Sequence, residues 1–133
     1  MSLKLDGTTT LLQVFDMPTS LHFYRDLLGF GIVQQSQPVD NCGWTWLRLD
    51  EAEIMLNTAY EEKYRPDEPD PLRMQAHQDT VLYFGCADVD AAYEFIRSKG
   101  ISASEPKNAP YGMRQLYFQD PDGFGICFQH PVR

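Results

Sequence analysis

Cysteine is scarce and scattered: Cys42, Cys86 and Cys127 are the only three in 133 residues, and no two form a CxxC pair. An odd, dispersed set excludes a disulfide framework and a zinc knuckle. It suits a reduced, cytoplasmic chain. Long apolar runs are also missing. Nothing approaches the roughly 18 residues that a membrane span needs, and the opening MSLKLDGTTT lacks the apolar centre of a signal peptide. No membrane association is expected. Basic residues are outnumbered, 11 Lys and Arg against 19 Asp and Glu, for a formal charge of −8. Such a field repels phosphate backbones and argues against nucleic acid as a partner. Histidine is sparse too. His22, His77 and His130 stand at no metal-ligand spacing, and each reads as a surface or capping residue. No Ser-His-Asp or Cys-His arrangement emerges, and Cys127 reads as inert packing inside a strand.

What is present is an ordinary globular composition, 43% hydrophobic and 23% charged, in a chain of single-domain size. The stretch 8–16, TTTLLQVFD, is β-branched and aliphatic and reads as a strand. A helix follows, opened by Asp16, Pro18 and Ser20, with Leu21, Tyr24, Leu27 and Leu28 on one face and Gly29 at its end. GIVQQ, 44–49 and 54–58 read as three further strands. Residues 59–79 carry Pro66, Pro69, Pro71 and the acids Glu61, Glu62, Asp67, Glu68 and Asp70, and read as a connector or lid. From Thr80 the pattern returns: a strand, a helix over 89–99 closed by Gly100, a short strand at 101–104, then strands at 114–118 and 125–129. The last two are joined by the turn Asp120-Pro121-Asp122-Gly123.

A shift of 72 superposes the halves. It carries Asp16 to Asp88, Phe23 to Phe95, Arg25 to Arg97, Asp50 to Asp122 and Ile54 to Ile126. Leu12 falls on Phe84, Trp46 on Phe118 and Leu56 on Phe128. This is an internal duplication of a β-α-β-β-β module: a first module at 8–58, the connector at 59–79 and a second module at 80–131, all in one domain. In each module the helix covers one sheet face, burying Leu12, Val14, Ile54 and Leu56. Alternation turns Thr9, Leu11, Gln13, Phe15, Met55 and Asn57 to the other face, with Val81, Tyr83, Gly85, Cys127 and Gln129 in the second module.

The start Val14-Phe15-Asp16, the helix LHFYRDLLGF over 21–30 and the ending Asp120-Pro121-Asp122-Gly123-Phe124-Gly125-Ile126 resemble the vicinal oxygen chelate superfamily of glyoxalases, bleomycin-resistance proteins and extradiol dioxygenases. The resemblance implies an α+β fold of two paired βαβββ modules around a U-shaped cleft, commonly in a homodimer. In metal-dependent members two strands of each module supply one ligand each to a divalent metal. Carried over, those positions are Thr9, Met55, Val81 and Cys127. Thr is a weak neutral ligand, Val cannot ligate, and Met and Cys prefer soft metals. No cofactor is expected. A divalent metal belongs only to an enzymatic alternative.

What remains is a cleft lined by Thr9, Leu11, Gln13, Phe15, Met55, Asn57, Val81, Tyr83, Tyr117, Cys127 and Gln129. Arg114 and Asp40 stand near its rim. The segment 109–114, with Tyr111 and Arg114, resembles the loop that borders the ligand in relatives. Trp44 and Trp46 share one strand face. Their repeat partners Leu116 and Phe118 favour core over ligand stacking, and both placements stay open. Aromatic walls with neutral hydrogen-bonding groups suit a small-molecule pocket. The leading expectation is a metal-free binder similar to bleomycin-resistance proteins. The alternatives are a glyoxalase-like lyase/isomerase or dioxygenase, and an interaction module whose cleft is filled by its own side chains. No catalytic residue is identified.

Overall fold

The computed structural model describes residues 2–60 and 62–133; Glu61, counted above among the connector acids, lies outside the described residues. The first module comprises β1 (Thr10–Val14), α1 (Met17–Leu21, continued as a π-helix over His22–Leu27), β2 (Gly31–Gln35), β3 (Trp44–Leu49) and β4 (Ala52–Thr58). The connector holds a short helix, α2 (Pro71–Ala76). The second module comprises β5 (Val81–Gly85), α3 (Val89–Ser98), β6 (Lys107–Asn108), β7 (Met113–Gln119) and β8 (Gly125–Pro131). The sheets run β1-β4-β3-β2 and β5-β8-β7-β6. In each the first and last strands pair in parallel and the rest antiparallel. The α+β class and the two βαβββ modules are those the sequence implied. Among the described residues no helix is long and apolar enough to cross a membrane.

Each module helix starts at an aspartate. Asp16 accepts from the Thr19 amide at 3.1 Å and Asp88 from the Ala91 amide at 3.0 Å, satisfying donors that a helix start leaves free. These caps keep the offset of 72, and so does β4 against β8. Between them the offset slips. Phe30 N bonds to Tyr24 O, and its counterpart Ile101 N bonds to Ile96 O, so 30 now matches 101. The π-helix over His22–Leu27 absorbs the extra residue. On the strands Leu56 pairs with Thr45 where Phe128 pairs with Leu116, 72 apart on one strand and 71 on the other. Asp120 N bonds to Phe124 O, so the turn Pro121-Asp122-Gly123 has one residue more than Asp50-Glu51 between Leu49 and Ala52, which restores the original shift.

This slip corrects the reading of the tryptophans. The mate of Trp46 is Tyr117, not Phe118, because Trp46 pairs with Met55 and Tyr117 with Cys127. Trp44 and Trp46 therefore lie on the face away from the helix. Another correction concerns the strand expected at 101–104. Only a bridge between Ala103 and Phe118 forms there, and the edge strand is Lys107–Asn108 beyond Pro106, which lacks an amide to donate. The connector is also more ordered than its prolines implied. His77 stacks on Phe124 at 3.9 Å and its Nδ1 bonds the Asp122 carbonyl at 2.6 Å. His22 is exposed, whereas His130 is buried, with Nδ1 at 2.7 Å from the Pro131 carbonyl.

The helix sides of both sheets share one core, which joins Leu12, Val14, Leu47, Ile54 and Leu56 to Val89, Ile96, Leu116, Phe118 and Ile126. Each buried aliphatic or aromatic side chain contributes roughly 1.5–3 kcal/mol. Phe23 meets Phe118 at 6.1 Å and Phe30 meets Phe84 at 6.3 Å, centroid to centroid. A polar clasp closes the joint. The Tyr24 hydroxyl donates to Asp120 Oδ2 at 2.6 Å, and the Phe15 amide donates to Asp122 Oδ1 at 2.7 Å. Arg73, from α2, reaches both Asp122 Oδ1 (3.4 Å) and the Gln13 carbonyl (2.6 Å). With the helix sides turned toward each other, the other face of each sheet is left open.

Candidate functional site

Strand register lays the open face of the first module in three rungs. Gln13, Asn57 and Trp44 form one, and Leu11, Met55 and Trp46 the next. Arg48 and Glu53 pair in the third, where the Thr9 hydroxyl donates to Glu53 Oε2 at 3.2 Å. Asn57 Nδ2 donates to Gln13 Oε1 at 3.2 Å. Arg48 Nε donates to Glu53 Oε1 at 2.8 Å, and its guanidinium lies 5.6 Å from the Trp46 ring centre. Glu53, the one carboxylate on this face among the described residues, is thus neutralised by its neighbour. The Trp46 indole Nε1 is buried and finds no hydrogen-bond partner among the described residues. Glu53 and Arg48 were not anticipated, although alternation from Met55 and Trp46 places them here.

The second module gives a phenolic and amide face. Tyr83, Cys127 and Tyr117 form one rung, and Gly85, Gln129 and Gln115 another. The Tyr83 and Tyr117 hydroxyls are 3.1 Å apart, their rings edge to face at 88°. Tyr117 OH and Tyr111 OH donate to Gln115 Oε1 at 3.2 and 3.0 Å, and Gln115 Nε2 donates to Gln129 Oε1 at 2.9 Å. Gln115, missed in the sequence, is the hub of this network; its parity with Tyr117 was the available signal. The hydrogen bond to Tyr83, and then burial, push the Tyr117 phenol well above its ordinary range. Burial also raises the Cys127 thiol. Both groups stay protonated at neutral pH, so this face offers hydroxyl donors and no thiolate.

Most of the expected lining residues reach these two faces. Leu11, Val81, Tyr83 and Tyr117 are 45%, 39%, 52% and 38% exposed, a large apolar surface for side chains of ordered strands. Three expected residues lie elsewhere. Arg114 shares the helix side of β7 with Leu116 and Phe118, where Nη2 and Nε hold Asp90 of α3 at 2.7 and 2.8 Å. Asp40 pairs with Arg25 at 2.8 Å. Phe15 sits past the end of β1 against Tyr60 (6.2 Å) and under Arg65 (5.6 Å). Among the described residues, no hydrogen bond or ring contact joins the two open faces to each other. The ring contacts between the modules, Phe23 with Phe118 and Phe30 with Phe84, run through the helix side.

The positions implied for a metal divide between these faces, Thr9 and Met55 on one, Val81 and Cys127 on the other. They offer a hydroxyl engaged with Glu53, a thioether, a hydrocarbon and a protonated thiol. That set does not fit a hard divalent cation. Among the described residues there is also no group of three or more His, Cys, Asp or Glu able to hold one.

Comparison with known proteins bears on this geometry. Residues 7–128 match the model of the Glyoxalase/Bleomycin resistance protein/Dioxygenase superfamily. The uncharacterized protein YraH of Bacillus subtilis (strain 168) is 28% identical over 117 residues, 84% of this chain and 87% of that one. TnmS3, an antibiotic-binding protein from Streptomyces sp. CB03234, is 23% identical with a TM-score of 0.70, covering 98% of this chain and all of that one. A bleomycin resistance determinant encoded on the transposon Tn5 is 21% identical with a TM-score of 0.72, covering 96% of this chain and 98% of that one. At these identities the two solved structures share a fold with this chain.

Proposed function

Since the chain belongs to the Glyoxalase/Bleomycin resistance protein/Dioxygenase superfamily, we propose that its open faces bind a small organic molecule without the superfamily's divalent metal, and that the working unit is a homodimer. The observation that carries this reading is the make-up of the faces: indoles and amides on one, phenols and amides on the other, with the Glu53 carboxylate already held by Arg48. Such surfaces stack flat rings and hydrogen-bond to their edges. The formal charge of −8 favours an uncharged or cationic ligand over an anionic one. The antibiotic-binding protein and the bleomycin resistance determinant among the similar folds support a binder over a catalyst. A glyoxalase-like lyase/isomerase or a dioxygenase would need donors that Thr9, Met55, Val81 and Cys127 do not supply. The homodimer rests on the open faces and on β1 and β5, each an edge strand of its sheet. A second copy laid there would turn two open faces into one cleft.

The test is a thermal-shift screen of planar neutral and planar cationic compounds in chelator-treated buffer. A ligand at a hundred times its Kd stabilises by about 2.7 kcal/mol, which moves the melting temperature by several degrees. Hits should quench the fluorescence of Trp44 and Trp46 and lose their effect in Trp46→Ala. No hit across the screen, or turnover of a hemithioacetal once metal is added, would overturn the reading.

A further inference from the structure

On the helix side, where the modules meet, the fold leaves a cavity of about 410 Å³. Its walls come from both halves: Phe30 after α1, Ala52 in the β3–β4 hairpin, Phe84 on β5, Ala92 and Ile96 on α3, and Phe128 on β8. The duplication explains the space. Leu12 pairs with Leu56, and at the mate positions Phe84 pairs with Phe128. Leu12 and Leu56 are 2% and 0% exposed, sealed in the core that holds Tyr24. Eight residues after its cap, α3 carries Ile96 where α1 carries Tyr24, a smaller side chain over a larger pair of rings. At the C-terminal cap, where the first module's helix has Leu28, α3 has Lys99, whose ammonium lies 5.3 Å from the outer Phe95 ring. Phe84 and Phe128 are consequently only half-buried and face a void. Apolar rings beside unfilled space forgo dispersion contacts that an occupant would restore. The exposed Asp50 and Glu51 stand at its mouth, and among the described residues no Lys, Arg or His is part of its lining, the Lys99 ammonium lying over the Phe95 ring at its outer edge.

We propose that this cavity between the modules is a second ligand site, separate from the open sheet faces, for a compact apolar molecule bearing a cationic group. The hydrocarbon body packs on Phe84 and Phe128. The cation stays at the mouth beside Asp50 and Glu51, where it keeps part of its hydration and avoids the cost of full burial. The volume falls within the range of small-molecule sites.

Isothermal titration with adamantylamine, a rigid hydrocarbon cage with one ammonium, tests this, with adamantane carboxylic acid as the anionic control. One saturable site per chain is expected, about tenfold or more tighter for the amine than for the acid. Tryptophan fluorescence should not change, because both tryptophans of the chain lie on the open face. Ala92→Leu fills the cavity from α3 and should abolish binding; Ala52→Leu fills it from the hairpin should the first variant fail to fold. The double variant Asp50→Asn, Glu51→Gln should weaken the amine about tenfold. The proposal is overturned by an absence of saturable amine binding, including the case in which a second copy covers the cavity. It is equally overturned by binding that survives both filling variants, by equal affinity for the acid, or by quenching of Trp44 and Trp46. None of these outcomes decides the screen on the open faces.

Discussion

The Tyr24 hydroxyl donates to Asp120 Oδ2 at 2.6 Å across the joint between the modules, 96 residues apart in sequence. The other carboxylate oxygen of Asp120 accepts from the Asp122 and Phe124 amides, both at 2.9 Å. One buried carboxylate therefore fixes a turn of the second module and the helix of the first. Tyr24→Phe keeps the ring and removes one of three donors. It should cost about 1–3 kcal/mol, read by urea denaturation, with little change in the secondary-structure signal.

Asp120 also gives stability a pH dependence of unusual sign. Burial raises its carboxyl from the ordinary 3.8 to about 6, against the opposing hydrogen bond from Tyr24. The folded state then holds this proton more tightly than the unfolded chain. The group's contribution is full below about pH 4 and is lost as the pH rises through about 6, by an amount on the order of 3 kcal/mol. Asp120→Asn retains an acceptor for the two amides and cannot ionise. Relative to wild type it should gain stability between pH 4 and pH 7. A gap between the two proteins that stays constant over that range would contradict the assignment.

Gly123 is held by space as well as by backbone conformation. Its φ is +86°, and a Cβ there would lie 2.6 Å from the Met74 carbonyl oxygen of α2. Gly29 has a φ of +96° with open space around it. Gly29→Ala should cost about 1 kcal/mol, from conformation alone. Gly123→Ala should cost several times more, because α2 must move off the turn. Parallel denaturation curves of the two variants compare them directly.

Thiol reactivity separates the three cysteines. Cys42 and Cys127 are buried and Cys86 is half-buried, and burial holds the Cys127 thiol protonated. A thiol reagent at pH 8 should modify Cys86 alone in the native protein, and all three in guanidinium. Rapid modification of Cys127 in the native protein would show a thiolate on the open face and reopen it as a nucleophile or ligand.

The alternation of Leu12, Val14, Ile54 and Leu56 was legible in the sequence because a half-buried strand enforces period two, and the paired aspartate caps revealed the duplication. The placement of Trp46 was not legible. A residue wound into a π-helix within LHFYRD leaves no composition signal, and the longer turn at Asp120 hides the compensation, so one offset seemed to serve throughout. Arg114 was placed near the cleft rim by analogy with a bordering loop, but strand parity turns it toward Asp90. The clasp of Asp120 and Asp122 looked like a turn and nothing more. Its partners, Tyr24 and the Phe15 amide, come from the far half of the chain, and local chemistry does not specify them.

Native mass spectrometry of freshly purified protein bears most directly on metal-free binding at the open faces. A dimer of the 15.3 kDa chain is expected, free of transition metal, in which an organic mass retained at the open faces is lost on substitution of Trp46 by alanine. One Mn, Fe, Ni or Zn per chain, surviving dialysis, would contradict it and make an enzyme the better description.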